Sequence, residues 1–176
     1  WDVTDTDKLS FSTYFGKDDL RLPLGFDMKF IWGNETFSSQ WTHIFSPKLF
    51  SHFILAGSHY GSEFELKNDS FKLLRENDLN DITLRGSLNY SPNEKHMLDF
   101  GFDFKKFDVL FKVSTTEKNA DPDAYPDVEV NNYYSSFYIQ DSWSVSETWT
   151  IQPGLRITAN IGKSNLKTEP ENDNYR

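Results

Sequence analysis

The 176-residue sequence predicts an all-β fold, an antiparallel up-and-down meander of about seven long strands. Apolar and polar residues alternate over most of the chain, and this period of two places one set on each face of a strand. No segment shows a helical period. Residues 71–79 come closest, and they are too short and too charged to form a helix alone. Tight turns alternate with longer polar connections, which is the layout of a membrane β-barrel wall.

The alternation places the strands at roughly 7–20, 31–45, 49–66, 79–91, 96–113, 132–143 and 148–161. The clearest example is Leu98, Phe100, Phe102 and Phe104, which alternate with polar residues and glycine. Several of these strands exceed the usual ~5–6 residues of globular sheets. A tilted strand needs only ~9–11 residues to cross the hydrocarbon of a membrane. We therefore expect the strands to extend beyond the membrane on one side.

Three predicted connections are tight: residues 46–48, 91–95 and 144–147. In the first two a proline follows a serine, which favours a type I turn because proline presets φ. The connections at 67–78, 114–131 and 162–176 are longer and polar. The densest acidic group lies in the second of these, and we expect a solvated extracellular loop there rather than a calcium site: Asp121, Asp123, Asp127 and Glu129.

Aromatic residues gather beside the tight turns, as in the interfacial girdle of a membrane barrel. The candidates are Trp41, Phe45, Phe50, Tyr90, Trp143 and Trp149. The alternative is that these rings fill one end of the core of a soluble β-sandwich, since alternation alone fits both folds. A long sheet with an apolar face and no helix must be covered by a second sheet or by lipid.

The polar positions of the strands would line the interior of such a barrel. Candidates for this lumen-facing set are Arg85, Asp99, Asp103, Lys105, Gln140 and Arg156. They could touch a ligand, but the favoured interpretation is that they form ion pairs and hydrogen bonds within the wall. A Lys or Arg side chain on the lipid side would cost ~2–4 kcal/mol at the midplane of the membrane. We therefore expect all six residues to lie on the face that points away from lipid.

Composition excludes several classes of function. The chain has no cysteine, which excludes disulfides and Cys-ligated metals, and its formal charge of −9 argues against nucleic-acid binding. His52 and His59 fall on opposite faces of one strand, so we expect no metal site there and no cofactor. No catalytic motif stands out, and we expect no enzymatic activity.

Seven is an odd number of strands, whereas bacterial single-chain barrels have even numbers. Both end strands would carry unpaired backbone groups and need neighbours. We therefore expect residues 1–176 to be a partial wall of a larger transmembrane barrel.

Several motifs resemble those of TonB-dependent outer-membrane receptors of the Bacteroidetes type. They are Trp32-Gly33-Asn34, the run Gln40-Trp41-Thr42-His43-Ile44-Phe45-Ser46-Pro47-Lys48-Leu49-Phe50, the strand Tyr138-Ile139-Gln140-Asp141-Ser142-Trp143, and Pro153-Gly154-Leu155-Arg156. Gln40 and Thr42 replace the usual Arg and Asn, and Ser142 stands where Glu is common. The resemblance covers most of residues 8–160.

This resemblance implies a 22-stranded barrel in the cell outer membrane, with a plug domain folded inside. Such a receptor imports a scarce nutrient, such as a metal chelate, cobalamin, an oligosaccharide or a peptide, with energy that TonB delivers from the inner membrane. The implied partners are outer-membrane lipid, the rest of the barrel, the plug, TonB and an unidentified nutrient. We expect the plug domain and the TonB-contacting segment to lie outside residues 1–176.

Two other functions are alternatives to a TonB-dependent receptor. A soluble, secreted all-β module could bind carbohydrate by stacking aromatic rings on sugars. A passive porin or an outer-membrane enzyme barrel would share the wall but lack the plug.

Overall fold

The computed structural model describes residues 1–23, 25–116 and 125–167, which form a single antiparallel sheet. Its strands are β1 (Asp7–Pro23), β2 (Asp27–Ser46), β3 (Leu49–Lys67), β4 (Lys72–Asn93), β5 (His96–Thr115), β6 (Asp127–Ser144), β7 (Thr150–Ile151) and β8 (Gly154–Lys167). Strands β1 to β6 pair in chain order, and both β7 and β8 pair with β6. The predicted all-β meander is confirmed.

The seventh predicted strand is divided in two. β7 and β8 together occupy the place of residues 148–161, and Gln152 and Pro153 separate them. Proline has no N–H to give to a β-ladder, which explains the interruption. The Pro153 carbonyl still accepts a hydrogen bond from the Asp141 N–H at 2.9 Å, so the two short strands continue along the same edge of β6.

The strands are longer than the sequence predicts, and the connections are correspondingly shorter. The predicted loop at 67–78 shrinks to residues 68–71, where the Asn68 side chain accepts hydrogen bonds from the Ser70 and Phe71 N–H groups, both at 2.8 Å. The predicted loop at 114–131 loses residues at both ends, since β5 ends at Thr115 and β6 begins at Asp127. In the first of these segments charged side chains stand on both faces of β4, Glu76 and Asp78 on one and Arg75 on the other, and this conceals the alternation when the sequence is read alone.

Cross-strand register assigns each paired residue to a face, because directly opposite residues of an antiparallel pair point to the same side. One row runs through Leu9, Trp41, Phe53, Gly86, Phe102, Phe137 and Ile157, and we name the face that carries it the band face. The adjacent row on the other side runs through Ser10, Gln40, Ile54, Arg85, Asp103, Ser136 and Thr158, and we name that side the network face.

The described residues contain no conventional core. None of their apolar side chains is buried, and the three buried polar residues are Ser51, Asn132 and Ser136. All described strands belong to one sheet, so nothing in the described part of the chain covers the band face. A second layer was the arrangement expected of a soluble sandwich, and the described residues do not form one. They also form no helix with the length and apolarity that membrane crossing requires.

The face of the sheet that carries the apolar side chains changes along the strands. We name the half of the sheet beside the tight turns the turn half, and the half beyond the Phe37–Gly57–Ile82 row the far half. In the turn half the band face is mostly apolar, and its ionisable side chains form the pairs His43–Asp7 and His96–Asp141 close to the tight turns. In the far half it becomes polar or charged, as at Glu35 and Asp108, while the network face becomes apolar, as at Phe30, Trp32 and Phe64.

Candidate functional site

The band face of the turn half carries an apolar band, which we define as the band-face side chains between the Phe37–Gly57–Ile82 row and the tight turns. Along β4 the band runs from Ile82 to Tyr90, and along β2 from Phe37 to Phe45, nine residues in each case. Its side chains are widely exposed: Ile157 is 67% and Phe137 55% exposed. The band is therefore a broad apolar surface on a sheet that is one layer thick.

Aromatic rings link the strands across this band. Trp41 stacks on Phe53 with ring centroids 5.6 Å apart, and Phe53 lies 6.3 Å from Phe102. Phe104 continues the series, 5.2 Å from Phe102 and 5.4 Å from Phe137. Five rings from β2, β3, β5 and β6 thus form a continuous path, and β4 takes part only through a glycine, Gly86.

Four of the six predicted girdle residues lie on the band face near the tight turns. Trp41 and Trp143 are placed there by register, as is Tyr90. Phe45 sits at a β-bulge, and its ring meets the band-face ring of His43 edge-on at 4.4 Å. Trp149 lies in the turn between β6 and β7 and is 70% exposed.

The remaining girdle candidate, Phe50, lies on the opposite face of the sheet from those four residues, which corrects the prediction. It pairs with Ile44 and Asn89 and therefore lies on the network face. Proximity to a turn does not determine the side to which a residue points, because that side depends on its parity in the strand.

All six predicted lumen-facing residues lie on the network face. Arg85 forms an ion pair with Asp103, with Nη2 2.8 Å from Oδ2. Lys105 binds Asp81, with Nζ 2.9 Å from Oδ2, and Asp81 is not among the residues predicted for this face. Through these two ion pairs, charged residues on this face of the sheet satisfy one another.

A ring and a glycine pack together in the next row of the same face, on the side of the tight turns. Gly101 lies beneath the ring of Tyr138, which is directly opposite it on β6, and the space that the glycine leaves is filled by the ring. The Tyr138 hydroxyl donates a hydrogen bond to Asp99 at 3.3 Å, and the Arg156 guanidinium lies 5.0 Å from the ring centroid. Gln140 is directly opposite Asp99. Four of the six residues thus lie in two local groups, Arg85 with Asp103 and Asp99 with Arg156.

Three of the four histidines pair with an aspartate on the band face, a feature that the sequence analysis missed. His43 lies 2.6 Å from Asp7, His96 lies 2.7 Å from Asp141, and His59 Nε2 lies 2.7 Å from Asp78 Oδ2. His52 lies on the network face and contacts the Thr42 hydroxyl at 2.9 Å. The partners are 19 to 45 residues apart, so no local motif could have revealed them.

These pairs do not add up to a metal centre. Within the described ranges, no group of three or more His, Cys, Asp or Glu side chains could hold a metal ion. The described members of the predicted acidic loop, Asp127 and Glu129, stand on β6 rather than in a loop, and Asp127 Oδ2 lies 4.0 Å from Lys112 Nζ. Asp121 and Asp123 lie outside the described residues.

Ion pairs hold neighbouring strands together in the far half, beyond the apolar band. Lys72 donates a hydrogen bond to Glu65 at 2.7 Å, and this bond lowers the pKa of the Glu65 carboxyl. Lys29 binds Glu63 at 3.2 Å. Within β1, the Arg21 guanidinium lowers the pKa of Asp19 in the same way, through a hydrogen bond.

The family model for TonB dependent receptor-like β-barrels matches residues 1–175. The chain belongs to this family. The resemblance seen in the sequence is therefore confirmed for TonB-dependent receptors, while the Bacteroidetes type stays a prediction.

The fold is similar to that of the ferric citrate transporter FecA in its unliganded crystal structure, with a TM-score of 0.71 at 13% sequence identity. The match covers 94% of this chain and 29% of the FecA chain, so this TonB-dependent receptor segment spans less than a third of that transporter. No curated protein sequence matches the chain. At this identity the likeness to FecA concerns the fold alone.

Proposed function

We propose that this chain forms part of the barrel wall of a TonB-dependent receptor that imports a nutrient across the bacterial outer membrane. In this proposal the band face contacts membrane lipid, and the network face of the turn half lines the interior of the barrel. Transport needs no chemical step by the wall itself. The plug domain, TonB and the nutrient are partners of the complete receptor.

The apolar band is the observation that carries the proposal. Nine residues at a rise of about 3.3 Å extend about 26 Å along a strand, or about 20 Å along the membrane normal at the ~40° tilt of barrel strands. This is close to the ~25 Å apolar belt of outer-membrane barrels. A water-exposed surface of that breadth would favour aggregation, whereas lipid removes its apolar side chains from water.

Apolar side chains lie on the band face in the turn half and on the network face in the far half, and this change of face supports the same orientation. Above the membrane the outer surface of a barrel meets water, which suits the charged band face of the far half. The strands β1 and β8 form the edges of the described sheet, and their free backbone groups would need neighbouring strands inside a membrane. We propose that further strands of the same receptor pair with both edges.

Single-cysteine labelling of the full-length receptor tests the face assignment. This chain has no cysteine, so Phe102→Cys and Asp103→Cys give one label site each once any cysteine elsewhere in the receptor is replaced. After reconstitution in vesicles, an environment-sensitive dye at position 102 should fluoresce as in hydrocarbon and be quenched by brominated lipid. The same dye at position 103 should respond to a water-soluble quencher. Equal responses at both positions would contradict the proposal.

Dependence on TonB tests active import. Cells that carry the receptor should take up its nutrient only while TonB is present, and candidate nutrients of the four expected classes can be compared in one uptake assay. Uptake that is unchanged when TonB is removed would favour the passive porin instead.

A further inference from the structure

Two glycines face each other on the band face of the far half and leave a gap in the row of side chains. Gly33 on β2 is directly opposite Gly61 on β3. The same cross-strand row continues to Lys17 on β1 at one end and to Asp78 on β4 at the other. A cavity of about 480 Å³ opens over the glycine pair, and we name it the glycine notch.

Charged groups of both signs surround the glycine notch. The Lys17 side chain runs along its edge, since its Cβ and Cγ would lie 3.9 Å from a Cβ built on Gly33. Asp78 lines the other side and is held by His59 at 2.7 Å. Glu35, Glu63 and Glu76 complete the acidic side of the lining, and Lys112 adds a second ammonium.

Three of these groups lack a close partner. Within the part of the chain that the structure describes, Lys17, Glu35 and Glu76 form no ion pair within 4.0 Å and no side-chain hydrogen bond. The neighbouring Lys112 is already near Asp127, at 4.0 Å. Lys17 interacts with Asp19, and Glu76 with Lys72, only through electrostatic attraction beyond that distance. The glycine notch thus offers one ammonium on β1 and two carboxylates on β2 and β4 that no hydrogen bond holds.

The glycine notch lies directly beyond the apolar band. Its lining begins at Glu35 and His59, which are in the first row past Phe37, Gly57 and Ile82. Advancing by one row takes two residues, or about 6.6 Å along a strand. If the band lies in hydrocarbon, this row is level with the lipid headgroups, and an acyl chain packed on the band would lead its headgroup to the cavity.

We propose that the glycine notch binds the phosphoethanolamine headgroup of an outer-leaflet lipid. The phosphate accepts hydrogen bonds from Lys17, and the primary ammonium donates to the carboxylates of Glu35, Glu76 and Asp78. A zwitterion matches a lining of both signs, whereas the excess of carboxylates opposes a purely anionic headgroup. A trimethylammonium headgroup has no N–H to donate. The inference rests on the proposed placement of the band in the outer membrane.

The glycine substitutions that test this proposal are chosen by the free space around each glycine. A Cβ on Gly61 would have His59 Cε1 as its nearest neighbour, at 3.8 Å, so Gly61→Val fills the cavity without displacing the sheet. Gly57→Val is the matched control, because Gly57 is on the same strand and face, outside the lining, with its nearest neighbour at 3.7 Å. Lys17→Gln removes the ammonium and leaves a polar side chain that is one atom shorter.

The experiment measures lipid binding to the full-length receptor in detergent by native mass spectrometry. The probes are dimyristoyl-phosphatidylethanolamine, -phosphatidylglycerol and -phosphatidylcholine at equal concentration. We expect one tightly held phosphatidylethanolamine, about tenfold preferred over the other two lipids, as charge-assisted hydrogen bonds would give. Gly61→Val should abolish this preference, and Gly57→Val should retain it. Lys17→Gln should weaken the binding of all three lipids and leave the preference in place, because the phosphate that Lys17 binds is common to them.

Two results would overturn the inference: no preference among the three lipids in the wild type, or a preference that survives Gly61→Val. Insertion into vesicles and heat-dependent migration on gels are recorded for every variant. A wild type that fails to insert refutes the proposed function together with this inference. A wild type that inserts without a lipid preference refutes the inference alone.

Discussion

The ring of Phe102 on β5 lies over Gly86, which is directly opposite it on β4. A Cβ built on Gly86 would be 2.6 Å from two carbons of this ring and 2.8 Å from the Phe53 ring on the other side. The two phenylalanines thus meet across a strand that contributes no side chain at this point. The series of rings through the apolar band depends on the glycine.

Gly86→Ala should therefore destabilise the receptor by about 1–3 kcal/mol, because the added methyl group forces both rings out of their positions. The free energy of unfolding in urea, followed by tryptophan fluorescence in detergent, measures this effect. Gly57→Ala is the control, since its Cβ would have 3.7 Å of clearance, and it should be neutral or slightly stabilising. Equal losses for both variants would contradict the special role of Gly86.

Leu84→Arg should impair insertion into the membrane, and Thr83→Arg should not. Leu84 lies on the band face and Thr83 on the network face beside Asp81. An arginine on the lipid side of a barrel costs about 2–4 kcal/mol near the midplane, whereas an interior position tolerates it. The fraction of receptor that inserts into vesicles after dilution from urea measures the difference. A larger defect for Thr83→Arg would reverse the assignment of the faces.

The Arg85–Asp103 pair should add little to stability. Both side chains are on the network face, and the arginine side chain is 57% exposed. Exposed ion pairs are screened by water and contribute about 0.2–1 kcal/mol. A double-mutant cycle with Arg85→Gln and Asp103→Asn measures the coupling energy directly. A coupling several times larger would show that water is excluded from this face in the complete receptor.

The Glu65–Lys72 pair should make one contribution to stability depend on pH. Lys72 lowers the pKa of Glu65 from its usual 4.5, so the folded receptor holds this carboxyl charged more readily than the unfolded chain does. The stabilisation is present above the unfolded pKa and is lost as the pH falls through the lower folded value.

Urea unfolding of the wild type and of Lys72→Met, compared from pH 6 down to pH 3, checks this prediction. The wild type should be the more stable at pH 6, and the difference should shrink below about pH 4.5 as Glu65 becomes protonated. Lys48→Met serves as a control for the loss of a positive charge, since Lys48 donates to the Pro92 carbonyl and not to a carboxylate. A difference that grows on acidification would refute the assigned direction.

Alternation with period two was enough to predict the meander, the tight turns and the common face of the six polar residues. Each of these depends on the pleat of a single strand, in which the side of every residue follows from its neighbours in the chain. Even so, the strand ends were misplaced, because the charged far half of the band face resembles loop sequence. Phe50 was placed by its distance from a turn instead of by its parity.

The remaining features are determined only when segments that are distant in the sequence pair in the sheet. The His43–Asp7 and His96–Asp141 contacts, the Gly86–Phe102 packing and the Gly33–Gly61 gap all join residues on neighbouring strands. The residue that lies opposite another is set by register, and register results from the whole length of two strands docking together. The sequence by itself therefore determines which face of a strand is apolar, while the pairing of strands in the sheet determines which side chains come into contact.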